Sequence, residues 1–68
     1  MRAQIENLVR EMVSKGILYD DARREFERHF LQCALDEAEG NIGAAADKVG
    51  IHRNTFSRKI DEHGLKRR

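Results

Sequence analysis

The segment from Gly40 to Ile60, GNIGAAADKVGIHRNTFSRKI, admits very few folds. Its apolar positions Ile42, Ala45, Ala46 and Val49 fall at i, i+3, i+4 and i+7, the spacing of one helix face. Asn41 is a strong N-cap ahead of them, and Gly50 ends the helix about two turns later by supplying a positive φ. Ile51 follows, then His52 as an N-cap, and a further helix from Arg53 carries Phe56 and Ile60. Gly64 closes it, and Leu65 is placed to fold back as the apolar contact of a glycine C-cap. Helices joined this tightly must cross closely, so the residue four before the turn is the small Ala46. Val49, Ile51, Phe56 and Ile60 then lock the pair into one wedge. Such a pair is a helix-turn-helix, whose second helix lies in the major groove of DNA. Arg53, Asn54, Ser57 and Arg58 are left facing out, and residues of these types read bases and phosphates. The bland alternative is an αα-hairpin with a solvated basic face. The full spacing combined with the basic outer face favours DNA binding.

Upstream, Ile5, Leu8, Val9, Met12 and Val13 form the stripe of a first helix, which Lys15 and Gly16 end. After Ile17, Leu18 and Tyr19, Asp20 and Asp21 are expected to cap a second helix that runs to about Glu39, where Gly40 stops it. In that helix Ala22, Phe26, Phe30 and Cys33 cluster on one side, and Leu31, Ala34, Leu35 and Ala38 on the adjoining side. The apolar arc spans roughly 220°, against the ~100° stripe of an ordinary surface helix. No single packing partner covers such an arc. One side is therefore expected to touch the C-terminal pair, and the other to meet the first helix and a second copy of the chain. The expected dimer interface is Ile5, Leu8, Val9, Met12, Phe26, Phe30 and Cys33. No segment alternates with period two and proline is absent. The expected fold is all-α: one domain over residues 1–68, with dimerisation helices in 3–39 and the helix-turn-helix in 41–65.

Size supports a partner subunit. A chain of 68 residues buries only about 60% of its unfolded surface. Its single cysteine excludes an internal disulfide and suits a reducing compartment. No apolar run approaches a signal peptide or membrane span, so a cytoplasmic protein is expected. The formal net charge of +1 hides an asymmetry: residues 1–40 carry −3 and residues 41–68 carry +4. The basic half, ending in Lys66, Arg67 and Arg68, points to an anionic partner, although a solvated charged surface explains charge alone equally well. His29 and Cys33 lie four apart, but two ligands do not make a metal site; a buried, inert Cys33 beside a partly exposed His29 is expected. Ser57 and His63 have no pocket in which to act as a catalytic pair. No enzyme activity, cofactor, metal or small-molecule substrate is expected.

The residues from Gly40 to Leu65 also resemble the C-terminal helix-turn-helix of the Fis family, which includes the DNA-binding domains ending NtrC-type sigma-54 activators. Gly40, Asn41, Ala45, Ala46, Val49, Gly50, Ile51, Arg53, Thr55, Phe56, Arg58, Lys59, Ile60, Gly64 and Leu65 match its pattern, and ARREFERHFLQCAL resembles the long helix before it. The likeness covers about residues 20–65. It implies a homodimer on double-stranded DNA, acting as a transcriptional regulator or nucleoid-associated protein. By the same resemblance His52 and Arg53 approach base edges, Thr55 and Arg58 bind phosphates, and Asn41 meets the backbone beside free N–H groups. The expected DNA-binding set is Asn41, Gly43, His52, Arg53, Asn54, Thr55, Ser57, Arg58 and Lys59. Ile42 and Gly43 depart from the Gln, Ser or Thr common in relatives, His52 replaces Asn or Ser, and Asp61 and Glu62 stand where some relatives are basic. These departures predict a lost phosphate contact, an altered base preference and a modest affinity. Two other readings stay open: a helical dimerisation or adaptor module without DNA binding, and the excised C-terminal end of a sigma-54 activator. A chain starting at Met1 without an ATPase domain is expected not to remodel sigma-54 polymerase alone.

Overall fold

Each stretch of helical periodicity becomes one helix. The computed structural model describes residues 1–65 as α1 (Arg2–Ser14), α2 (Tyr19–Glu37), α3 (Ile42–Val49) and α4 (Arg53–His63), with no strand among the described residues. The fold is all-α. Lys66, Arg67 and Arg68, the basic end noted in the sequence, lie outside the described residues.

The core is built from three of the four helices. Leu31, Ala34 and Leu35 of α2 meet Ala45 and Ala46 of α3 and Phe56 and Ile60 of α4. Leu35, Phe56 and Ile60 are its largest fully enclosed side chains. Each stabilises the fold by about 1.5–3 kcal/mol through apolar burial. Ala38, Ile42, Val49, Ile51 and Leu65 seal the margin, so Leu65 does fold back onto the unit. Ala45 and Ala46 are fully buried, as a close helix crossing requires.

Helix α1 contributes nothing to this core: none of its residues is buried. Leu8 is 52% exposed and Phe26, on the same apolar side of α2 as Phe30, is 62% exposed. The Cα radius of gyration is 13.4 Å, against about 11 Å for a compact domain of this length. The excess reflects a first helix that does not fold back onto the rest. Cys33, expected to be buried, is exposed, because its side of α2 has no covering element among the described residues. His29 is exposed and bonded to Glu25 at 2.8 Å.

Two helix ends differ from the sequence expectation. The N-cap of α2 is Leu18, without a side-chain bond, and Asp20 and Asp21 sit inside its first turn. There they face the positive end of the helix dipole, and Asp20 also accepts from Arg23 at 2.9 Å. The C-terminus comes earlier than Glu39: α2 ends at Glu37, and Glu39 already stands at φ 54°. Gly40 follows at φ 84°, donating its N–H to the carbonyl of Leu35 at 2.9 Å. Two consecutive left-handed residues turn the chain sharply into α3.

Candidate nucleic-acid interface

The geometry of the α3–α4 pair begins with its turn. Gly50 adopts φ 77°, ψ 30°, and the next amide, Ile51, donates to the carbonyl of Ala46 at 3.1 Å. That left-handed step reverses the chain within Gly50, Ile51 and His52. His52 caps α4: its Nδ1 accepts the amide of Asn54 at 3.0 Å. An accepting Nδ1 puts the ring proton on Nε2, which remains a donor on an exposed side chain. Asn41 caps α3 in the same manner, with Oδ1 accepting the amide of Ala44 at 3.0 Å.

The starts of the two helices lie side by side. A Cβ added at Gly43 would stand 4.0 Å from Cδ of Arg53 and 3.5 Å from Oδ1 of Asn41. The stem of Arg53 therefore passes over the first turn of α3. Free amides at helix N-termini and a guanidinium in one place make a surface suited to an anion.

The residues proposed from sequence divide into two groups. Asn41, His52, Arg53, Asn54 and Arg58 are exposed; Gly43, Thr55, Ser57 and Lys59 are half-buried. Phe56 and Ile60 face the core, so the exposed side of α4 carries Asn54 and Arg58 together with Asp61 and Glu62. Arg58 lies 3.8 Å from Glu62, and both side chains are more than half exposed. A pair that open is worth little and gives way easily to a phosphate. Arg53 makes no ion pair among the described residues.

Lys59 behaves differently from the other cations. Its Nζ donates to Oε2 of Glu27 on α2 at 2.9 Å. The other oxygen of Glu27 is bonded to Nε2 of His63 at 2.7 Å. The hydrogen bond from His63, then that from Lys59, holds the Glu27 carboxyl below its ordinary range, against the opposing effect of partial burial. Sequence reasoning missed Glu27 altogether. The only local hint was the i, i+4 spacing of Lys59 and His63, which identifies no partner.

No group of three or more His, Cys, Asp or Glu side chains among the described residues is arranged to hold a metal ion. No helix of the described residues is long and apolar enough to cross a membrane.

Comparison with known proteins bears on this pair of helices directly. Residues 22–63 match the family described as bacterial regulatory protein, Fis family. The chain is 40% identical over 48 residues to a putative Fis-like DNA-binding protein of Ralstonia nicotianae, covering 71% of this chain and 62% of that one. It is 44% identical over 48 residues to one from Xylella fastidiosa, covering 71% and 53%. Over 48 residues it is 42% identical to the DNA-binding transcriptional regulator NtrC of Rhizobium meliloti, covering 71% of this chain and 10% of that one. The chain thus spans about three-fifths of the first Fis-like relative and a tenth of the longer regulator. No solved structure gives a significant match. A family match over residues 22–63 takes in α3, α4 and most of α2. The chain belongs to the Fis family of bacterial regulatory proteins.

Proposed function

We propose that the chain binds double-stranded DNA as a homodimer, with α4 of each subunit in a major groove, and serves as a transcriptional regulator or nucleoid-associated protein. One observation carries this reading above the rest. The apolar residues Phe56 and Ile60 of α4 are fully enclosed while Arg53, Asn54 and Arg58 stand exposed on a helix joined to α3 by a short turn. In this arrangement Arg53, with His52, reads base edges. Arg58 and Thr55 take phosphates, and Asn41 and Gly43 bring the α3 amides to the backbone. Relatives named as Fis-like DNA-binding proteins and as NtrC support the assignment.

The dimer rests on the apolar surface left outside the core. Ile5, Leu8 and Val9 are about half exposed, Phe26 and Phe30 pack as tilted rings with centroids 5.5 Å apart, and Cys33 is open on the same side of α2. The two rings also line an apolar groove of about 330 Å³, together with Leu31, Val49 and Ile51. Monomeric proteins rarely leave so much contiguous apolar surface in water. Met12, half-buried, completes the stripe on α1.

The test is binding to a pool of random duplexes across a salt series. A steep fall of affinity with salt and recovery of a recurring two-fold motif are expected. An absence of binding at low salt would assign the chain to the adaptor class instead. The NtrC match favours a second setting for the same activity, in which this domain addresses a longer activator to its DNA.

A further inference from the structure

The most enclosed ion-pair network in the molecule ties α4 to α2. Glu27, Lys59 and His63 side chains are 23%, 25% and 10% exposed, whereas every other ion pair among the described residues joins openly solvated side chains. Each oxygen of the Glu27 carboxylate serves a different residue of α4, and those residues are one turn apart. Two bonds at two heights along a helix define its axis. Apolar burial of Phe56 and Ile60 holds α4 against the core but is non-directional and leaves tilt and rotation loosely set. Charge-assisted bonds are directional and stronger than neutral ones.

The placement of Glu27 on α2 gives this tie its meaning. Phe26 precedes it and Phe30 lies one turn on, both on the exposed apolar side. The residue that holds α4 thus sits among those assigned to the subunit contact. A dimeric reader must hold its two recognition helices at a fixed separation, matched to the spacing of its half-sites. A tilt of roughly 10° in an α4-sized helix moves its far end by ~3 Å, about one base-pair step.

We propose that Glu27 is a positioning residue that sets the pitch of α4 relative to the dimer helices, and that Lys59 serves this tie and not a DNA phosphate. To reach a phosphate Lys59 would have to leave Glu27, stranding half of a partly buried carboxylate. The groups facing Glu27 are Lys59 and His63 from α4 and, along its own helix, Arg23, which is already bonded to Asp20. The proposal rests on the DNA-binding reading above.

The experiment uses a duplex recovered from a random pool by the wild-type protein, and the same duplex with one base pair added or removed between half-sites. Wild type should lose about tenfold or more in affinity at the altered spacings, since one subunit's α4 is then out of register with its half-site. Glu27→Ala should bind the three duplexes within about threefold of one another, with weaker binding to the original. Lys59→Gln should share the loss of spacing preference, with a salt slope unchanged from wild type. An Arg58→Ala control should lower that slope by about one per subunit. If Glu27→Ala fails to fold by circular dichroism, the isosteric Glu27→Gln takes its place with the same expectation. An unaltered spacing preference in the Glu27 variant overturns the positioning role alone. A salt slope that falls by about one per subunit in Lys59→Gln overturns its assignment to the tie. Failure of the wild-type protein to bind any duplex at low salt removes the DNA-binding reading itself, and this proposal with it.

Discussion

The two ends of the molecule solve the folding problem in opposite ways. The unit made by the C-terminal half of α2 with α3 and α4 encloses Leu35, Phe56 and Ile60 and needs nothing else to do so. Helix α1 and the first half of α2 carry comparable apolar content, yet leave it in solvent. The difference does not lie in turn length, since α1 and α2 are joined by four residues, as α2 and α3 are, and Gly16 is left-handed as well. It lies in where the helices go afterwards: α3 and α4 bring side chains into the core, whereas no residue of α1 is buried. A sequence with apolar periodicity at both ends therefore specifies a self-contained reader at one end and an incomplete surface at the other.

The sharpest way to break that comparison is to substitute one buried and one exposed phenylalanine. Phe56→Ala should cost about 3–5 kcal/mol and leave the chain largely unfolded by circular dichroism, since it empties the centre of the core that α2, α3 and α4 enclose. Phe26→Asp, or Leu8→Asp, should instead spare α2–α4 and cost about 2 kcal/mol or more of subunit association. Sedimentation should show a dimer for wild type and a monomer for the variant, and the melting temperature should lose part of its dependence on protein concentration. A monomeric wild type at high micromolar concentration would remove the distinction, because exposed surface substitutions then change stability by no more than about 0.5 kcal/mol.

A third test asks whether the two regions also divide the labour of binding. Arg53→Ala should cost about 1–3 kcal/mol on the preferred duplex and relax sequence preference, leaving sedimentation unchanged. Arg58→Ala should weaken all duplexes alike and reduce the salt slope by about one per subunit. Binding equal to wild type in both variants would leave the exposed side of α4 without a role.

How much of this was legible in the sequence follows the same division. Ala45, Ala46, Phe56 and Ile60 could be placed in the core from spacing alone, and Gly50, Asn41 and His52 could be assigned as turn and caps, because those features depend on near neighbours. The side of α2 bearing Cys33 was expected to be buried and is open, since periodicity shows that a face is apolar but not which molecule covers it. Asp20 looked like a cap and is a first-turn residue, because the helix gains one more residue, Tyr19, before it. Lys59 matched the basic position of the family pattern, but its partner Glu27 is 32 residues away. Only the packed fold reveals that pairing.

Acid sharpens the comparison where the two regions meet on α2. The Glu27 carboxyl is held below its ordinary range by His63 and Lys59. Between its folded value and the ordinary one, the unfolded chain binds the extra proton, so stability rises with pH there. The contribution is complete above about pH 4.3 and is lost as pH falls through the lowered folded value. Glu27→Gln should flatten the acid limb of a urea-melt series recorded from neutral pH downward, and an identical limb in both proteins would show that other carboxylates set it. Glu25, lowered by Arg28 and then His29, has a side chain about half exposed to solvent and contributes the weaker part of that limb.

The smallest effect expected comes from the two turns themselves. Gly16 ends α1 at φ 76°, while the matching position after α2 is Glu39 at φ 54°. An L residue with a side chain in that region costs roughly 1–2 kcal/mol, a cost glycine avoids. Glycine also gives the unfolded chain more freedom, which returns about 0.4–1 kcal/mol of the gain. Glu39→Gly should therefore stabilise the α2–α3 turn by a few tenths to about 1 kcal/mol and raise the melting temperature by a few degrees. Gly16→Ala introduces the same strain where glycine now relieves it, and its added Cβ meets nothing within 4 Å, so conformation alone sets the loss. If Glu39→Gly destabilises the protein, the left-handed conformation at Glu39 is held by interactions of its side chain, and the turn into α3 depends on that carboxylate.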